Sequence, residues 1–363
     1  MDLPDYLKKQ AQSINSEVNR ALTRFRKEVE LTNSHLIPLV DLLIASCQGG
    51  KRVRGMLVEL GYEIAQIHLV HLGGVMASAS LQPATVRGVK EITKIGAAYE
   101  ILHASILVHD DVIDESKLRR GQITLYRKLG GDHYGISQAI GLGDIGLFLP
   151  VKIIAETGFD SKLKNKAISF FAQTIINTGL GQILDVELPH LRGERKEKDV
   201  IAIHTLKTAQ YTVSGPLILG AILAGANGNL QKELVKFGGN LGVAFQIQDD
   251  ILGVFGDEGE LGKSTTSDIE EGKNTLLITY ALQKATAKQN EILKRYYGTG
   301  EVGEKELEQV REVFVQTGAL DYSRKQAAAY VKMAIKILPQ ITKDSKMSKL
   351  LQQLAEYLVE RTK

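Results

Sequence analysis

The sequence predicts one all-α domain of about ten helices, and three observations indicate this fold class. Apolar side chains recur three and four residues apart over long stretches, which is the spacing of one face of an α-helix. Alternation of apolar and polar residues, which is typical of β-strands, does not extend over any useful length. Only 7 of the 363 residues are Pro, so the strongest helix breaker is scarce.

This periodicity predicts the helices in chain order. In the first, residues 11–31, the apolar side chains of Ile14, Val18 and Leu22 fall on one face. Later helical runs are predicted at 89–108, 169–188, 199–224, 230–252, 274–284 and 322–338. Breaks are expected at Gly49-Gly50, Gly73-Gly74, Gly121, Gly130-Gly131, Asn227-Gly228 and residues 256–262. No change of composition and no repeat divides residues 1–363, which are therefore interpreted as one domain.

Composition excludes several classes of protein. The 45 basic and 42 acidic side chains leave a formal charge of +3, so charge does not indicate a nucleic-acid-binding protein. The single cysteine, Cys47, has no partner for an internal disulfide, which fits a reducing compartment. The run 215–226 is strongly apolar but is shorter than the roughly 20 residues that cross a bilayer. We therefore expect a soluble cytoplasmic protein with no transmembrane segment and no signal peptide.

Two groups of aspartates follow apolar helical runs. In the sequence ILVHDDVIDE, Asp110 and Asp114 are four residues apart and project from the same helix face, with Asp111 about 100° round the axis. The second group, in FQIQDDILGVFGD, contains Asp249 and Asp250. One such pair would most simply be a solvated helix cap. Two pairs, whose like charges a hard divalent cation would stabilise, favour a metal site.

Basic side chains accompany both acidic groups. They are Lys51 and Arg54 after the glycine pair, Arg119 and Arg120 after the first acidic group, and Lys207, Lys263 and Lys273 in the second half. Each alone is by default a surface charge. Together with two carboxylate groups they indicate a site in which Mg²⁺ and cationic side chains bind a diphosphate.

Five motifs in order carry a resemblance to a known family: GGKRVRG, LVHDDVIDESKLRRG, GQILDVEL, KTAQYT and FQIQDDILGVFGDEGELGKSTTSDIEEGKNTLL. Over about residues 49–329 the chain resembles the trans-isoprenyl diphosphate synthases, or polyprenyl synthetases, a family that includes geranylgeranyl diphosphate synthase. The resemblance implies the isoprenoid synthase fold, with helices around a deep central cavity, and a homodimer. It also implies Mg²⁺-dependent condensation of isopentenyl diphosphate with dimethylallyl, geranyl or farnesyl diphosphate.

The resemblance also implies roles for residues at the matching motif positions. Ligands of the magnesium ions would be Asp110, Asp111, Asp114, Asp249 and Asp250. The allylic diphosphate would be held by Arg119, Lys207 and Lys263, with Lys273 as a further candidate. The diphosphate of isopentenyl diphosphate would be held by Lys51, Arg54, His103 and Arg120. Oxygen dipoles facing the allylic cation would come from Thr208 and Gln246. Gln182 and Asp185 would lie near the metals or form an ordinary polar pair.

Two departures from the family pattern bear on the chemistry. Gly253 stands where many members carry a third aspartate, and Asp257 is either a water-mediated metal contact or a loop cap. Ile106 and Ser105 lie four and five residues before Asp110. The resemblance implies that aromatic residues at these two positions would stop growth of the prenyl chain. Tyr99 is expected deeper along the same helix. We therefore expect geranylgeranyl diphosphate or a longer product.

Two other functions are compatible with part of this pattern. A class I terpene synthase also ionises an allylic diphosphate, but it has no use for the cations of a second diphosphate site. A non-catalytic partner subunit of a prenyl synthase heteromer would be expected to lose acidic or basic site residues, and this sequence retains nearly all of them.

Overall fold

The computed structural model describes residues 3–71, 86–190, 195–261 and 264–360. The α-helices are α1 Leu3–Thr32, α2 Ile37–Ser46, α3 Val53–His71, α4 Val86–Ile113, α5 Leu125–Lys128, α6 His133–Glu156, α7 Ser161–Glu187, α8 Glu197–Ile203, α9 Gly215–Leu223, α10 Gly228–Phe255, α11 Glu258–Leu261, α12 Ser267–Glu270, α13 Leu276–Lys284, α14 Ala287–Tyr296, α15 Glu304–Gln316, α16 Ala319–Ile341 and α17 Ser345–Glu360. A π-helix spans His204–Ser214, and short 3₁₀ turns span Ser34–Leu36 and Leu188–His190. Strands β1 Leu118–Arg119 and β2 Gln122–Ile123 pair antiparallel.

The all-α prediction is confirmed. More helices are present than the ten or so expected, because α5, α11 and α12 are single turns and α6, α14, α15 and α17 were not singled out by periodicity. The predicted run 199–224 is three consecutive elements, with the π-helix between α8 and α9. The predicted break at Gly73-Gly74 lies outside the described residues.

The chain forms two compact units, which are described separately. The first comprises Met1–Ala172, Gly215–Leu234 and Gln340–Leu350. Its helices α1, α3 and α4 bury an apolar cluster that includes Ile14, Met56 and Ile101. The axes of α3 and α4 approach closely at Gly55 and Gly96, since a Cβ on Gly55 would lie 2.9 Å from the Gly96 carbonyl oxygen. This contact fixes the start of α3 against the middle of α4.

The second unit comprises Gln173–Ser214, Val235–Pro339 and Leu351–Lys363. Its core joins α10, α13 and α15, with Ile251, Leu277 and Phe314 among the buried side chains. The π-helix lies against α10, because a Cβ on Gly242 would be 2.5 Å from Ala209 Cα. This close approach brings the side chains of the π-helix beside those of α10.

One helix of the described part, α6, is long and apolar enough to cross a membrane by length and composition alone. The buried core helix of a soluble protein passes the same test. In the structure α6 packs along α4, with Ala139, Leu142 and Leu149 buried. Less than half of its apolar stretch is buried, so α6 also carries an exposed apolar face.

Candidate active site

The first carboxylate group lies at the carboxyl end of α4. Asp110 and Asp111 belong to the last turn, and Asp114 follows it with its N–H donating to the Asp110 carbonyl oxygen at 2.8 Å. Carboxylates are unfavourable at this end of a helix, because the exposed carbonyl groups already carry partial negative charge. A cation bound there would therefore be strongly stabilised.

The hairpin after α4 supplies one such cation. Arg119 Nε donates to Asp111 Oδ1 at 2.7 Å, and its Nη2 donates to Asp110 Oδ2 at 3.1 Å. Burial raises the pKa of Asp111 to about 6, although the Arg119 charge opposes that shift. Burial alone would lower the pKa of Arg119, but the neighbouring carboxylates outweigh it and raise the pKa. Arg119 was expected to bind the allylic diphosphate. In the structure it contacts Asp110 and Asp111, the carboxylates that would face this diphosphate.

A second basic group forms around the start of α3. His103 is buried on α4, and its pKa is lowered by burial and then by the charges of Arg54 and Arg120. A Cβ on Gly50 would lie 3.2 Å from Arg120 Nη1, so the glycine pair gives room for this guanidinium. Burial and the Arg54 charge also lower the pKa of Arg120. Cationic side chains that lower one another's pKa values in this way repel each other, so the group favours binding of an anion.

Arg52, which the sequence analysis did not single out, organises this loop. Its backbone has a left-handed φ of 55°. Its Nε donates to Asn15 Oδ1 at 2.6 Å and its Nη2 to the Cys47 carbonyl oxygen at 2.9 Å. Its Nη1 lies 3.7 Å from Glu100 Oε2, and Glu100 Oε1 accepts from the Gly55 N–H at 2.8 Å. Arg52 therefore points into the protein and fixes the loop that presents Lys51 and Arg54.

A pocket in the second unit gathers several of the residues predicted in that half of the chain. It is lined by Asp185, Ile203, His204, Lys207, Thr208, Gln246, Asp249, Asp250, Asp268, Lys273, Asn274 and Thr275. Lys207 Nζ donates to Asp185 Oδ2 at 2.7 Å, which ties the π-helix to α7. Lys207, Thr208, Gln246 and Asp249 thus line one pocket. Gln182 lies one turn before Asp185 on α7 but does not line the pocket.

Asp250 lies between a side chain of α10 and a side chain of the π-helix. Gln246 Nε2 donates to Oδ1 at 2.7 Å, and His204 Nε2 lies 3.0 Å from Oδ2. Asp250 and His204 are both buried. Burial raises the pKa of Asp250, and His204 acts in the opposite direction. No motif had indicated His204.

The loop after α12 brings Lys273 to the pocket. Lys273 Nζ lies 3.2 Å from Asp268 Oδ1 and 3.1 Å from Glu271 Oε2. Its carbonyl oxygen accepts from Tyr297 Oη at 2.6 Å and from Arg195 Nη1 at 3.4 Å. These two hydrogen bonds therefore fix the backbone of the loop at Lys273, and the Lys273 ammonium group remains at the pocket.

One expectation about the second acidic motif needs correction. Asp249 and Asp250 do not end their helix, since α10 continues to Phe255. Asp257 is exposed beyond that end and does not line the pocket, whereas Asp268, which was not singled out, does. Lys263 lies outside the described residues.

The donor atoms of the site suit a hard divalent metal. Carboxylate oxygens dominate both acidic groups, and Mg²⁺ prefers oxygen ligands. Within residues 3–71, 86–190, 195–261 and 264–360, no three His, Cys, Asp or Glu side chains converge closely enough to hold a metal ion by themselves.

Comparison with known proteins identifies the family. A family model for polyprenyl synthetases matches residues 39–314. The geranylgeranyl diphosphate synthase of Sulfolobus acidocaldarius is 36% identical over 271 residues, which cover 74% of this chain and 80% of the relative. The geranylfarnesyl diphosphate synthase of Aeropyrum pernix is 32% identical over 319 residues, 87% of this chain and 91% of the relative.

A solved structure agrees over the whole length. The geranylgeranyl pyrophosphate synthase of Corynebacterium glutamicum, in complex with isoprenyl diphosphate and magnesium, superposes with a TM-score of 0.84 at 26% identity. The match covers 99% of this chain and 100% of the other. Enzymes of this family generally depend on a divalent metal. The carboxylate groups, their cations and these matches show that the chain belongs to the polyprenyl synthetase family and is a trans-prenyltransferase.

Proposed function

We propose that the enzyme condenses isopentenyl diphosphate with an allylic diphosphate, in the presence of Mg²⁺, to give geranylgeranyl diphosphate or a longer trans-polyprenyl diphosphate. The observation that carries the proposal is the convergence of Lys207, Thr208, Gln246 and Asp249 on one pocket. A lysine and a metal-binding carboxylate suit a diphosphate leaving group, whereas hydroxyl and amide oxygens suit a carbocation.

The family motifs support Asp110, Asp111 and Asp114, and likewise Asp249, as residues that would hold the metal ions. When bound, Mg²⁺ neutralises negative charge that develops on the departing diphosphate. Arg119 lies against Asp110 and Asp111 and so provides a fixed cation beside the same oxygens. Lys207 and Lys273 add positive charge at the pocket, and Lys263 is proposed for the same role from the family motif.

The second diphosphate, that of isopentenyl diphosphate, would bind the basic group at the start of α3. Arg54, Arg120 and His103 lie near one another there, and Lys51 is exposed on the adjoining loop. A terpene synthase would have no use for this group. A non-catalytic partner subunit would need neither this basic group nor the residues proposed to bind the allylic diphosphate and its metal ions.

Product length would depend on residues below Asp110 on α4. Ile106 is half-buried and one turn from Asp110, so we propose that its side chain lines the path of the growing chain. Ser105 is different, because it is buried against α6: a Cβ on Gly146 would lie 2.7 Å from Ser105 Cβ. Tyr99, deeper on α4, packs edge-to-face on Phe171 at 5.5 Å. No aromatic side chain occupies position 105 or 106, which supports a product of geranylgeranyl length or more.

The enzyme is proposed to be a cytoplasmic homodimer. The exposed apolar side chains of α6 are Tyr134, Ile140, Ile145 and Phe148. Phe148 is 73% exposed, and a second copy of the chain would remove this surface from water. Light scattering coupled to size-exclusion chromatography should give twice the mass of the chain.

Chromatography of the products tests the proposed reaction. The purified protein is incubated with labelled isopentenyl diphosphate, Mg²⁺ and each of dimethylallyl, geranyl and farnesyl diphosphate. Label should appear in geranylgeranyl or longer diphosphates. Farnesyl diphosphate as the sole end product would contradict the proposed length. A cyclic hydrocarbon formed from the allylic substrate alone would indicate a terpene synthase, and no consumption of isopentenyl diphosphate with any primer would contradict the reaction itself.

A further inference from the structure

The inference concerns the loop between α12 and α13 and rests on the proposed function. We infer that the side-chain amide of Asn274 donates a hydrogen bond to the diphosphate of the allylic substrate, and that Arg195 is a positioning residue that orients this amide. Sequence analysis had singled out neither residue.

Arg195 lies just before α8, and its guanidinium contacts the loop at several oxygen atoms. Its Nη1 donates to Asn274 Oδ1 and to the carbonyl oxygens of Gly272, at 3.2 Å, and Lys273, at 3.4 Å. The guanidinium also lies over the ring of Tyr297, with Cζ 5.6 Å from the ring centroid. All three oxygen atoms are uncharged, so they orient the Arg195 cation without cancelling its charge. That charge favours an anion in the pocket that the loop lines.

The contact with Arg195 decides which way the Asn274 amide faces. Arginine donates hydrogen bonds and accepts none, so Asn274 must present Oδ1 to Arg195 and turn Nδ2 away from it. Asn274 lines the pocket and is 5% exposed, and its Nδ2 makes no hydrogen bond to the described residues. A buried N–H group without an acceptor is costly, so an oriented one beside a pocket indicates a ligand that accepts from it.

The other side chains of the pocket indicate what this ligand is. Lys207 and Lys273 bring two ammonium groups to it, and Asp249 brings a carboxylate proposed to hold a metal ion. Nδ2 of Asn274 donates to no pocket carboxylate of the described residues. A phosphoryl oxygen bound beside the two lysines is an acceptor whose negative charge matches its surroundings, and hydrogen bonds to such charged oxygens are strong.

The backbone that carries Asn274 is also fixed from its other side. Gly272 has a left-handed φ of 68°, and a Cβ there would lie 2.8 Å from Gly298 Cα. Tyr297 Oη donates to the Lys273 carbonyl oxygen at 2.6 Å. A donor on a loop held in this way is in place before the substrate arrives, so binding does not have to order it.

The Asn274→Asp variant separates substrate binding from a purely structural contact. Aspartate has the shape of asparagine and still accepts from Arg195, but it has no N–H group and adds a negative charge. Calorimetric titration with a thio-analogue of geranyl diphosphate in the presence of Mg²⁺ gives Kd. Asn274→Asp should keep the thermal stability of the wild type and bind the analogue ~10-fold or more weakly, and Asn274→Ala should bind it about 10-fold more weakly. Binding within about twofold of the wild type in either variant would overturn the inference.

Variants of Arg195 test its positioning role. Arg195→Lys keeps a donor and a charge and should weaken binding less than Arg195→Leu does. Arg195→Leu should weaken binding less in the Asn274→Ala background than in the wild type, because part of its effect passes through that amide. Equal effects in the two backgrounds would overturn the role of Arg195. The matched control is Arg295→Leu, which removes an exposed guanidinium that lies over the Tyr296 ring on α14 and should leave Kd unchanged.

Steady-state kinetics separate this inference from the proposed function. In the Asn274 variants KM for the allylic diphosphate should rise about 10-fold, while KM for isopentenyl diphosphate stays within about twofold. An equal rise of both KM values would indicate a general loss of structure and would overturn the inference. Failure of the wild type to consume isopentenyl diphosphate would contradict the proposed function, whereas the calorimetric comparison needs no turnover and still tests Asn274.

Discussion

The Asp268 carboxylate occupies the space that a side chain at Gly253 would need. A Cβ on Gly253 would overlap Asp268 Oδ2 and lie 3.1 Å from its Cγ. Asp268 is buried, pairs with Lys273 and lines the pocket that contains Asp249. The glycine at position 253 thus permits a carboxylate from the α12 segment to approach α10, at the place where many family members carry an aspartate on the helix itself.

Restoring an aspartate on α10 should therefore impair the enzyme. Gly253→Asp would place two carboxylates in one buried space, and overpacking of this kind typically costs about 1–3 kcal/mol before charge repulsion is included. We expect a lower midpoint of thermal unfolding and a higher KM for the allylic diphosphate, because Asp268 and Lys273 must move.

The matched control relieves the overlap. Gly253→Asp combined with Asp268→Ala should recover most of the lost thermal stability, measured by circular dichroism. A Gly253→Asp variant as stable and as active as the wild type would show that Asp268 moves away at no cost, which contradicts the packing described here.

The Arg52–Glu100 pair should control binding of isopentenyl diphosphate without touching it. Arg52→Ala leaves Glu100 buried without its cation, a change that typically costs about 3–5 kcal/mol. Glu100→Gln is milder, because Gln can still accept from the Gly55 N–H. We expect Glu100→Gln to raise KM for isopentenyl diphosphate with a smaller change in kcat. Calorimetry gives the stability, and steady-state kinetics at saturating primer give KM. An unchanged KM in a folded Glu100→Gln variant would count against a role in positioning the loop.

Neighbouring residues on α4 should respond differently to the same substitution. Ile106→Phe adds a ring one turn below Asp110 and should shift the product towards farnesyl diphosphate. Ser105→Phe should mainly lower thermal stability, since Ser105 is fully buried against Gly146 and its Oγ donates to the Ile101 carbonyl oxygen at 2.9 Å. Product chromatography and thermal unfolding distinguish the two effects. A shorter product from Ser105→Phe with unchanged stability would show that position 105 also lines the chain path.

Glu59 on α3 should make stability depend on pH. Burial raises its pKa from 4.5 to about 7, although Thr93 Oγ1 donates to Glu59 Oε1 at 2.6 Å. The folded protein therefore holds a proton that the unfolded chain loses between pH 4.5 and about 7, so stability falls as pH rises through this window. At pH 8 the cost is on the order of 3 kcal/mol.

A neutral variant removes this dependence. Glu59→Gln keeps an acceptor for Thr93 and should be more stable than the wild type at pH 8 but not at pH 5, as measured by denaturant unfolding. Glu291→Gln, on the exposed face of α14, is the control and should leave the pH profile unchanged. Parallel profiles for the wild type and Glu59→Gln would contradict the assignment.

The residues that line the pocket of the second unit include several that the motifs had singled out, because helical spacing fixes near neighbours along one face. Gln246 and Asp249 lie on α10, and Lys207 and Thr208 lie on the π-helix. All four line the same pocket because these two segments pack together. The π-helix itself could not be predicted, since its apolar spacing within residues 199–224 resembles that of an ordinary α-helix.

Residues whose tasks depend on tertiary contacts were missed. GGKRVRG contains three cations, and only the contacts and burial of Arg52 show that this one points inward. His204 and Asp268 are distant in sequence from the aspartates that they accompany.

From the family motifs we propose that Asp110 and Asp249 both bind metal ions of an allylic diphosphate. A crystal structure with Mg²⁺ and a thio-analogue of an allylic diphosphate is the decisive measurement. We expect Mg²⁺ ions bound by Asp110 and Asp114 and a further Mg²⁺ ion bound by Asp249, all in contact with one diphosphate group. Metal ions held by only one of the two aspartate groups, or a diphosphate bound away from both, would refute the proposal.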